Sequence, residues 1–303
     1  MTAFDATLPR HGGGAGDALA VSFEFFPPKT PAMAEKLWQT IDRLAPLRPT
    51  FVSVTYGAGG GTRERTHDVI VRLVKETPLA PAAHLTCVGA TRADVDAVAR
   101  RYLEAGVRHI VALRGDPPEG DGRFAPHDNG FDGSVSLIAG LRAVGDFEIS
   151  AAAYPEPHPD SRGFDADLDH LKRKIDAGAN RLITQFFFDN STYLRLRDRM
   201  AKAGIDVPLV PGILPVTNFT QVVKFASACG ASVPDWMRWR FEGLDEEPET
   251  RRLIAAVTAA EQCVALAREG VRAYHFYTLN RADLTYAICH MLGIRPAVPA
   301  ERS

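Results

Sequence analysis

From Val21 onward the chain alternates between two textures. Short runs rich in β-branched and aromatic residues recur as VSFEFFP (21–27), FVSVTYG (51–57), AAHLTCVG (82–89), HIVALRGD (109–116), EISAAAYPE (148–156), RLITQFFF (181–188), VPLVPGIL (207–214) and AYHFYTLN (273–280). Between them, apolar positions fall at helical spacing, as in AEKLWQTIDRLAPL (34–47), TRADVDAVARRYLEAG (91–106), DADLDHLKRKIDAGA (165–179) and STYLRLRDRMAKAG (191–204), several opened by a Thr, Asp or Ser cap and closed by Gly. Eight strands alternating with helices predict an α/β fold, a TIM-type (β/α)8 barrel of parallel strands. No GxGxxG follows any strand, which argues against an open dinucleotide-binding sheet. The interval before the last strand is long and carries extra helical material near the C-terminus (234–270), read as an insertion on a single barrel domain spanning 20–303. Residues 1–19, with HGGGAG at 11–16, are polar and aperiodic and are read as a disordered leader.

Composition narrows the function classes. The 303 residues are 46% hydrophobic and 24% charged, an ordinary globular balance. Net charge is −2 with dispersed basic residues, so neither nucleic acid nor an anionic membrane is expected as a partner. No apolar run reaches the roughly 20 residues that span a bilayer, and no secretory signal opens the chain, so a cytoplasmic location is expected. The cysteines Cys87, Cys229, Cys263 and Cys289 form no CxxC pair, and neither a disulfide framework nor a metal site is indicated. Nothing in the sequence decides between a monomer and a homo-oligomer.

In such barrels the chemistry collects at the C-terminal ends of the strands. Those positions hold Glu24, Thr55, His84, Arg114 with Asp116, Tyr154 with Glu156 and His158, Gln185, and Asn280 with Arg281. Taken singly, a strand-end Thr or Asn caps the next helix and a lone His is a structural residue; their convergence predicts a shared active site. Glu24 interrupts an apolar run. Flanked by Phe23, Phe25 and Phe26, its carboxyl is expected to be partly desolvated and to hold a proton near neutral pH, as a general acid must; the competing reading is a carboxylate paired to an Arg. Asp167, His170, Arg173 and Lys174 share one helix face that could meet a pyrophosphate, although a solvated charged face is the ordinary explanation of that pattern. With neither a Ser-His-Asp order nor a P-loop, the constellation suits a cofactor that carries its own chemistry.

Together the stretches SFEFFPPK, VSVTYGAGGGTRERT, HLTCVG, LRGDPP, AAYPEPHP, LKRKIDAGANRLITQFFFDN, PGILPV and HFYTLNRADLTYAICH, running from 21 to about 295, resemble the 5,10-methylenetetrahydrofolate reductase family. The resemblance implies a flavoprotein of one-carbon metabolism and methionine biosynthesis. Its non-covalent FAD would be reduced by NADH or NADPH and reoxidised by 5,10-methylenetetrahydrofolate, in ping-pong fashion at one site, giving 5-methyltetrahydrofolate. Carried over by motif, Glu24 would be the general acid that helps open the folate's five-membered ring. Asp116 would hydrogen-bond the pterin and tune the flavin, Gln185 would hold the pterin's other edge, Phe225 would stack on folate or nicotinamide, and Gln221 and Arg281 would reach the folate and its glutamate tail. FAD would be held by Thr55, His84, Arg114, Gly115, Asp116, Tyr154, His158, Asp167, His170, Arg173 and Lys174. His170 stands where Asn is expected in relatives.

The sequence departs from the family pattern in the stretch 117–136, which lacks the usual Tyr-Ala-x-Asp and offers Phe131 where a flavin-contacting Tyr is expected. Because the chain ends soon after the last barrel helix, a regulatory domain responding to S-adenosylmethionine is not expected. The competing functional readings are the same site run as a methyltetrahydrofolate oxidase, a proline-dehydrogenase-like FAD barrel, and a flavin- or folate-binding module without turnover.

Overall fold

A computed structural model describes residues 19–56, 62–116 and 124–296; all of the expected leader but its last residue, the first part of the atypical stretch and the C-terminal end lie outside the described residues. Strands β1 (Ala20–Phe25), β2 (Val52–Val54), β3 (Pro81–Thr86), β4 (His109–Leu113), β5 (Glu148–Ala153), β6 (Arg181–Thr184), β7 (Leu209–Val210), β8 (Gly212–Ile213) and β9 (Ala273–Tyr277) form one parallel sheet in the order β7-β6-β5-β4-β3-β2-β1-β9-β8. The sheet curls into a nearly closed (β/α)8 barrel, as predicted.

All eight expected strands are present, but the seventh is split. Pro211 has no N–H to donate to the ladder. The half before it, β7, pairs with β6, and the half after it, β8, pairs with β9. The break therefore falls at the barrel's point of closure.

Helices α1 (Pro31–Leu44), α2 (Arg63–Glu76), α3 (Arg92–Glu104), α4 (Ser134–Val144), α5 (Phe164–Asp176) and α6 (Asn190–Lys202) follow the first six strands. Next come α7 (Phe219–Cys229), α8 (Asp235–Phe241), α9 (Pro248–Arg268) and, after β9, α10 (Ala282–Met291). Here the sequence reading needs correction. Helix α9 packs against both α6 and α10 and completes the outer ring, with Ala255, Ala259, Ala260, Cys263 and Leu266 buried. The added elements are α7 and α8, a segment that begins about 15 residues earlier than the 234–270 expected. A helix followed by a helix leaves no strand to mark which of them belongs to the ring.

Strand alternation divides the apolar residues into two layers. Phe23, Phe25, Val52, Val54, Ala83, Leu85, Ile110, Ala112, Ile149, Leu182 and Phe276 face outward into the core shared with the helices. Inside the barrel a much smaller cluster of Phe51, Ala82, Val111 and Ile183 shares the space with polar side chains. The interior thus keeps room for hydrogen-bonding groups while the outer layer supplies most of the buried apolar surface.

Candidate active site

Glu24 lies on the inward face of β1 with only 12% of its side chain exposed. Contrary to what the sequence suggests, its seclusion does not come from the neighbouring phenylalanines. The two-residue period of the strand instead turns Phe23 and Phe25 away into the outer core, and Phe26 is 36% exposed. What encloses the carboxylate comes from other strands: His84 Nε2 on β3 lies 3.3 Å from Oε2, and His275 Nε2 on β9 lies 3.6 Å from the same oxygen. No Arg pairs with Glu24 among the described residues.

The β1 end is held by the turn that follows β9. Thr278 Oγ1 donates to Glu24 O at 2.6 Å, and the Asn280 amide bonds Phe26 both ways, accepting from its N–H at 2.9 Å and donating to its carbonyl at 3.0 Å. Leu279 and Asn280 take left-handed φ values of 51° and 52° to present that amide. Asn280 is therefore a backbone clamp, while its neighbour Arg281 opens α10. Tyr277 closes the other side, donating to Thr184 O at 2.7 Å. Burial, followed by the Glu24 charge, holds the Tyr277 phenol well above its usual range.

A second group gathers where β4, β5 and α5 meet. Arg114 Nη1 pairs with Asp160 at 3.0 Å, and its guanidinium lies 5.0 Å from the Phe124 ring centre. Gly115 follows with φ +85°, and a Cβ there would come within 2.5 Å of Val88 Cγ1, so only glycine keeps this backbone open. Tyr154 meets the His158 ring edge-on at 4.7 Å, and burial pushes its phenol up to about 12. The His158 backbone N–H donates to Asp167 Oδ2 at 3.0 Å. Burial first, and then the Arg114 charge, keep that imidazole below its ordinary range.

On α5 the expected shared face is present. Lys174 is 5% exposed and donates to Ala152 O at 2.8 Å. Burial brings its ammonium down to about 8, partly offset by the Asp167 carboxylate. His170 bridges Ser134 Oγ at 3.3 Å and Arg173 Nη2 at 3.2 Å; burial and the two cations lower it to about 4. A neutral imidazole at this position keeps one N–H donor.

The remaining predicted residues are spread around the same rim. Thr55 follows β2, with its N–H on Phe25 O and its carbonyl accepting from Thr66 Oγ1. Gln185 follows β6, its Oε1 accepting from the Phe186 N–H. Gln221 and Phe225 stand on α7, where Phe225 is 56% exposed, and Asp116 is exposed after β4. Phe131, at the position where a flavin-contacting Tyr is expected, is buried against Gly140 of α4 beneath Arg92.

His275 and Ser22 are not among the strand-end residues. Each lies two residues from one that faces the site, His275 from Tyr277 and Ser22 from Glu24, so the strand period alone places both on the inward face. The residues present fit a bound FAD. A buried, desolvated Lys174 ammonium, with Arg114, Arg173 and a neutral His158 in the same group, is the donor set that a pyrophosphate anion would satisfy.

The sequence profile of the family described as "Methylenetetrahydrofolate reductase" matches residues 14–293. The chain is 55% identical over 278 residues to the 5,10-methylenetetrahydrofolate reductase of Pectobacterium carotovorum, covering 92% of this chain and 91% of that one. It is 54% identical to the enzyme of that name from Escherichia coli K12, with 92% of each chain covered. With "Methylenetetrahydrofolate reductase (NADH) 1" of Arabidopsis thaliana it shares 34% identity over 91% of this chain but 48% of the plant protein. Among solved structures, a Clostridium thermocellum protein reported to bind two copies of 5-methyl-5,6,7,8-tetrahydrofolic acid superposes with a TM-score of 0.58 at 14% identity, covering 91% of this chain and 94% of that one. At that identity the likeness concerns the fold alone.

Proposed function

The chain belongs to the methylenetetrahydrofolate reductase family, and from that premise we propose that it reduces 5,10-methylenetetrahydrofolate to 5-methyltetrahydrofolate with NADH or NADPH, the two substrates using one FAD-bearing site in turn. The observation that carries this reading is the position of Glu24, a carboxyl secluded inside the barrel mouth between two histidines and below a rim of hydrogen-bonding side chains. FAD, when bound, supplies the hydride chemistry. The protein's part is to hold, orient and protonate.

In this reading Glu24 delivers its proton to the folate amine that leaves when the five-membered ring opens. With 12% of its side chain exposed, the carboxyl meets little water that could intercept the proton. Asp116, after β4, and Gln185, after β6, receive the donors and acceptors of the pterin edge. Arg281 and Gln221 meet the polar tail. Arg114, His158, Asp167, His170, Arg173 and Lys174 hold the dinucleotide, with Thr55, His84, Gly115 and Tyr154 lining its course.

The test begins with the purified protein, which is expected to be yellow and to release FAD on denaturation, since the proposed contacts are all non-covalent. Adding NADH or NADPH without oxygen should bleach it, and methylenetetrahydrofolate should restore the colour. A colourless protein that FAD cannot turn yellow overturns the reading.

Phe225 offers a separate check. A ring 56% exposed on the rim is free to stack on an incoming aromatic ligand. Phe225→Ala should weaken both nucleotide-driven bleaching and folate-driven recovery by about tenfold, the worth of a stacked aromatic contact and its buried area. Rapid-mixing rates that stay normal in both steps would make Phe225 an incidental surface residue.

A further inference from the structure

Among the described residues only Arg48, Leu279 and Asn280 take positive φ without being glycine, and the last two are consecutive at the barrel mouth, at 51° and 52°. Left-handed backbone is costly for a side chain as large as Leu, so a paired occurrence asks for a reason. The Arg281 N–H closes the turn on Thr278 O at 2.9 Å, with the two left-handed residues at its centre. An Asn just before a helix ordinarily caps it, but the cap position of α10 is Arg281, whose side chain makes no capping bond. The Asn280 amide is used on another strand.

Strand β9 runs beside β1 only as far as Tyr277, which stands opposite Glu24. Past that point the amide of Asn280 takes the place of the missing peptide group. Its Oδ1 accepts from Phe26 N–H at 2.9 Å and its Nδ2 donates to Phe26 O at 3.0 Å. Pro27 and Pro28 follow without N–H groups, so no backbone donor further along could hold this end until Lys29.

The rest of the turn is braced in the same way. The Thr278 hydroxyl donates to Glu24 O at 2.6 Å and accepts from Asn280 N–H at 3.1 Å, while the Thr278 N–H reaches the same Glu24 carbonyl at 3.3 Å. Thr40 of α1, 1% exposed, shares its hydroxyl proton between Lys36 O at 2.8 Å and Asn280 O at 3.0 Å. Every one of these bonds has a fixed direction, because a carbonyl oxygen only accepts and a peptide N–H only donates. Between the two anchors, Phe25 O takes the Thr55 N–H at 2.9 Å. The backbone that carries Glu24 is therefore held from both neighbouring strands.

We propose that Asn280 is a positioning residue: standing in for the next peptide of β9, its amide fixes the end of β1 and so aims Glu24 at the folate. The strained turn is what delivers the amide to Phe26. The proposal rests on the functional reading above for the task of Glu24. The clamp itself can be tested without substrate.

Asn280→Gly removes the amide and suits left-handed backbone better than Asn does, so the fold should survive with a Tm close to wild type. Hydrogen exchange of the FAD-loaded protein, recorded without folate, should show the Phe26 amide exchanging at least about tenfold faster than in wild type once its acceptor is gone. Folate-driven recovery of colour, at saturating folate, should fall by at least about tenfold, since a group misplaced by about 1 Å costs up to about 10²-fold. Bleaching by NADH or NADPH should keep its rate. Asn280→Asp tolerates positive φ and keeps an oxygen for the Phe26 N–H but loses the donor to Phe26 O, so it should fall between wild type and Asn280→Gly in both readouts. Should the Gly variant fail to fold, the Asp variant carries both measurements alone.

Unchanged exchange at Phe26 overturns the clamp. Faster exchange with normal folate recovery overturns the positioning role, as does equal loss in the two half-reactions, which would mark Asn280 as a structural brace of the barrel mouth. Failure of the functional reading looks different. The wild-type protein would then turn over no folate, while exchange at Phe26 would still report whether Asn280 holds β1.

Discussion

Glu24→Gln is expected to lower the rate of methylenetetrahydrofolate reduction by roughly 10²–10⁴-fold, the usual worth of a positioned general acid. The substitution keeps the volume and leaves an amide able to hydrogen-bond His84 and His275, which stand 3.3 and 3.6 Å from the carboxylate. What disappears is the transferable proton. Bleaching of the yellow protein by NADH or NADPH needs no proton from Glu24 and should proceed near the wild-type rate, so the variant can be loaded, reduced and then watched as it fails to recover with folate. Stopped-flow absorbance of the two steps decides it. Equal loss in both would mean that Glu24 supports the site's structure and does not supply its proton.

Gly212→Ala is expected to destabilise the fold by about 1–3 kcal/mol, the range for overpacking a tight interior. A Cβ at this position would collide with Thr184 O and lie 2.6 Å from Tyr277 Cε2 and 2.7 Å from its hydroxyl. The Thr184 carbonyl cannot move freely, because it accepts from the Tyr277 hydroxyl, and Thr184 Oγ1 accepts from Gly212 N at 2.9 Å. Gly212 also opens β8, the strand that closes the barrel on β9. Thermal unfolding should therefore show a Tm several degrees lower, and the displaced Tyr277 should reduce folate turnover even where the protein stays folded. A Tm within one degree of wild type would show that the closure tolerates a methyl group and that the break at Pro211 leaves real slack.

How far the site was readable in the sequence depends on which residues are asked about. Arg114, Tyr154, His158, Asp167, His170, Arg173 and Lys174 were legible because each follows a strand or recurs on one helix face, and the structure gathers them at the β4, β5 and α5 corner. Glu24 was legible as an oddity, a carboxylate in an apolar run, but the reason first given for it was wrong. Adjacent residues on a strand point to opposite faces, so Phe23 and Phe25 cannot be its environment, and the residues that are, His84 and His275, lie 60 and 251 positions away in the chain.

The alternation of apolar strands and amphipathic helices determined the barrel by itself, because period and order are local properties and parallel strands joined by helices have few ways to close. The strand-end rule likewise named the face on which the candidate residues gather. Three matters were left to the tertiary structure: that α9 and not α7 completes the outer ring, that the seventh strand breaks at Pro211, and that a histidine from the last strand meets an acid from the first. Each depends on which elements become neighbours when β9 pairs with both β1 and β8. Closure brings together residues about 250 positions apart, and the period of either strand alone carries no record of its partner across the seam.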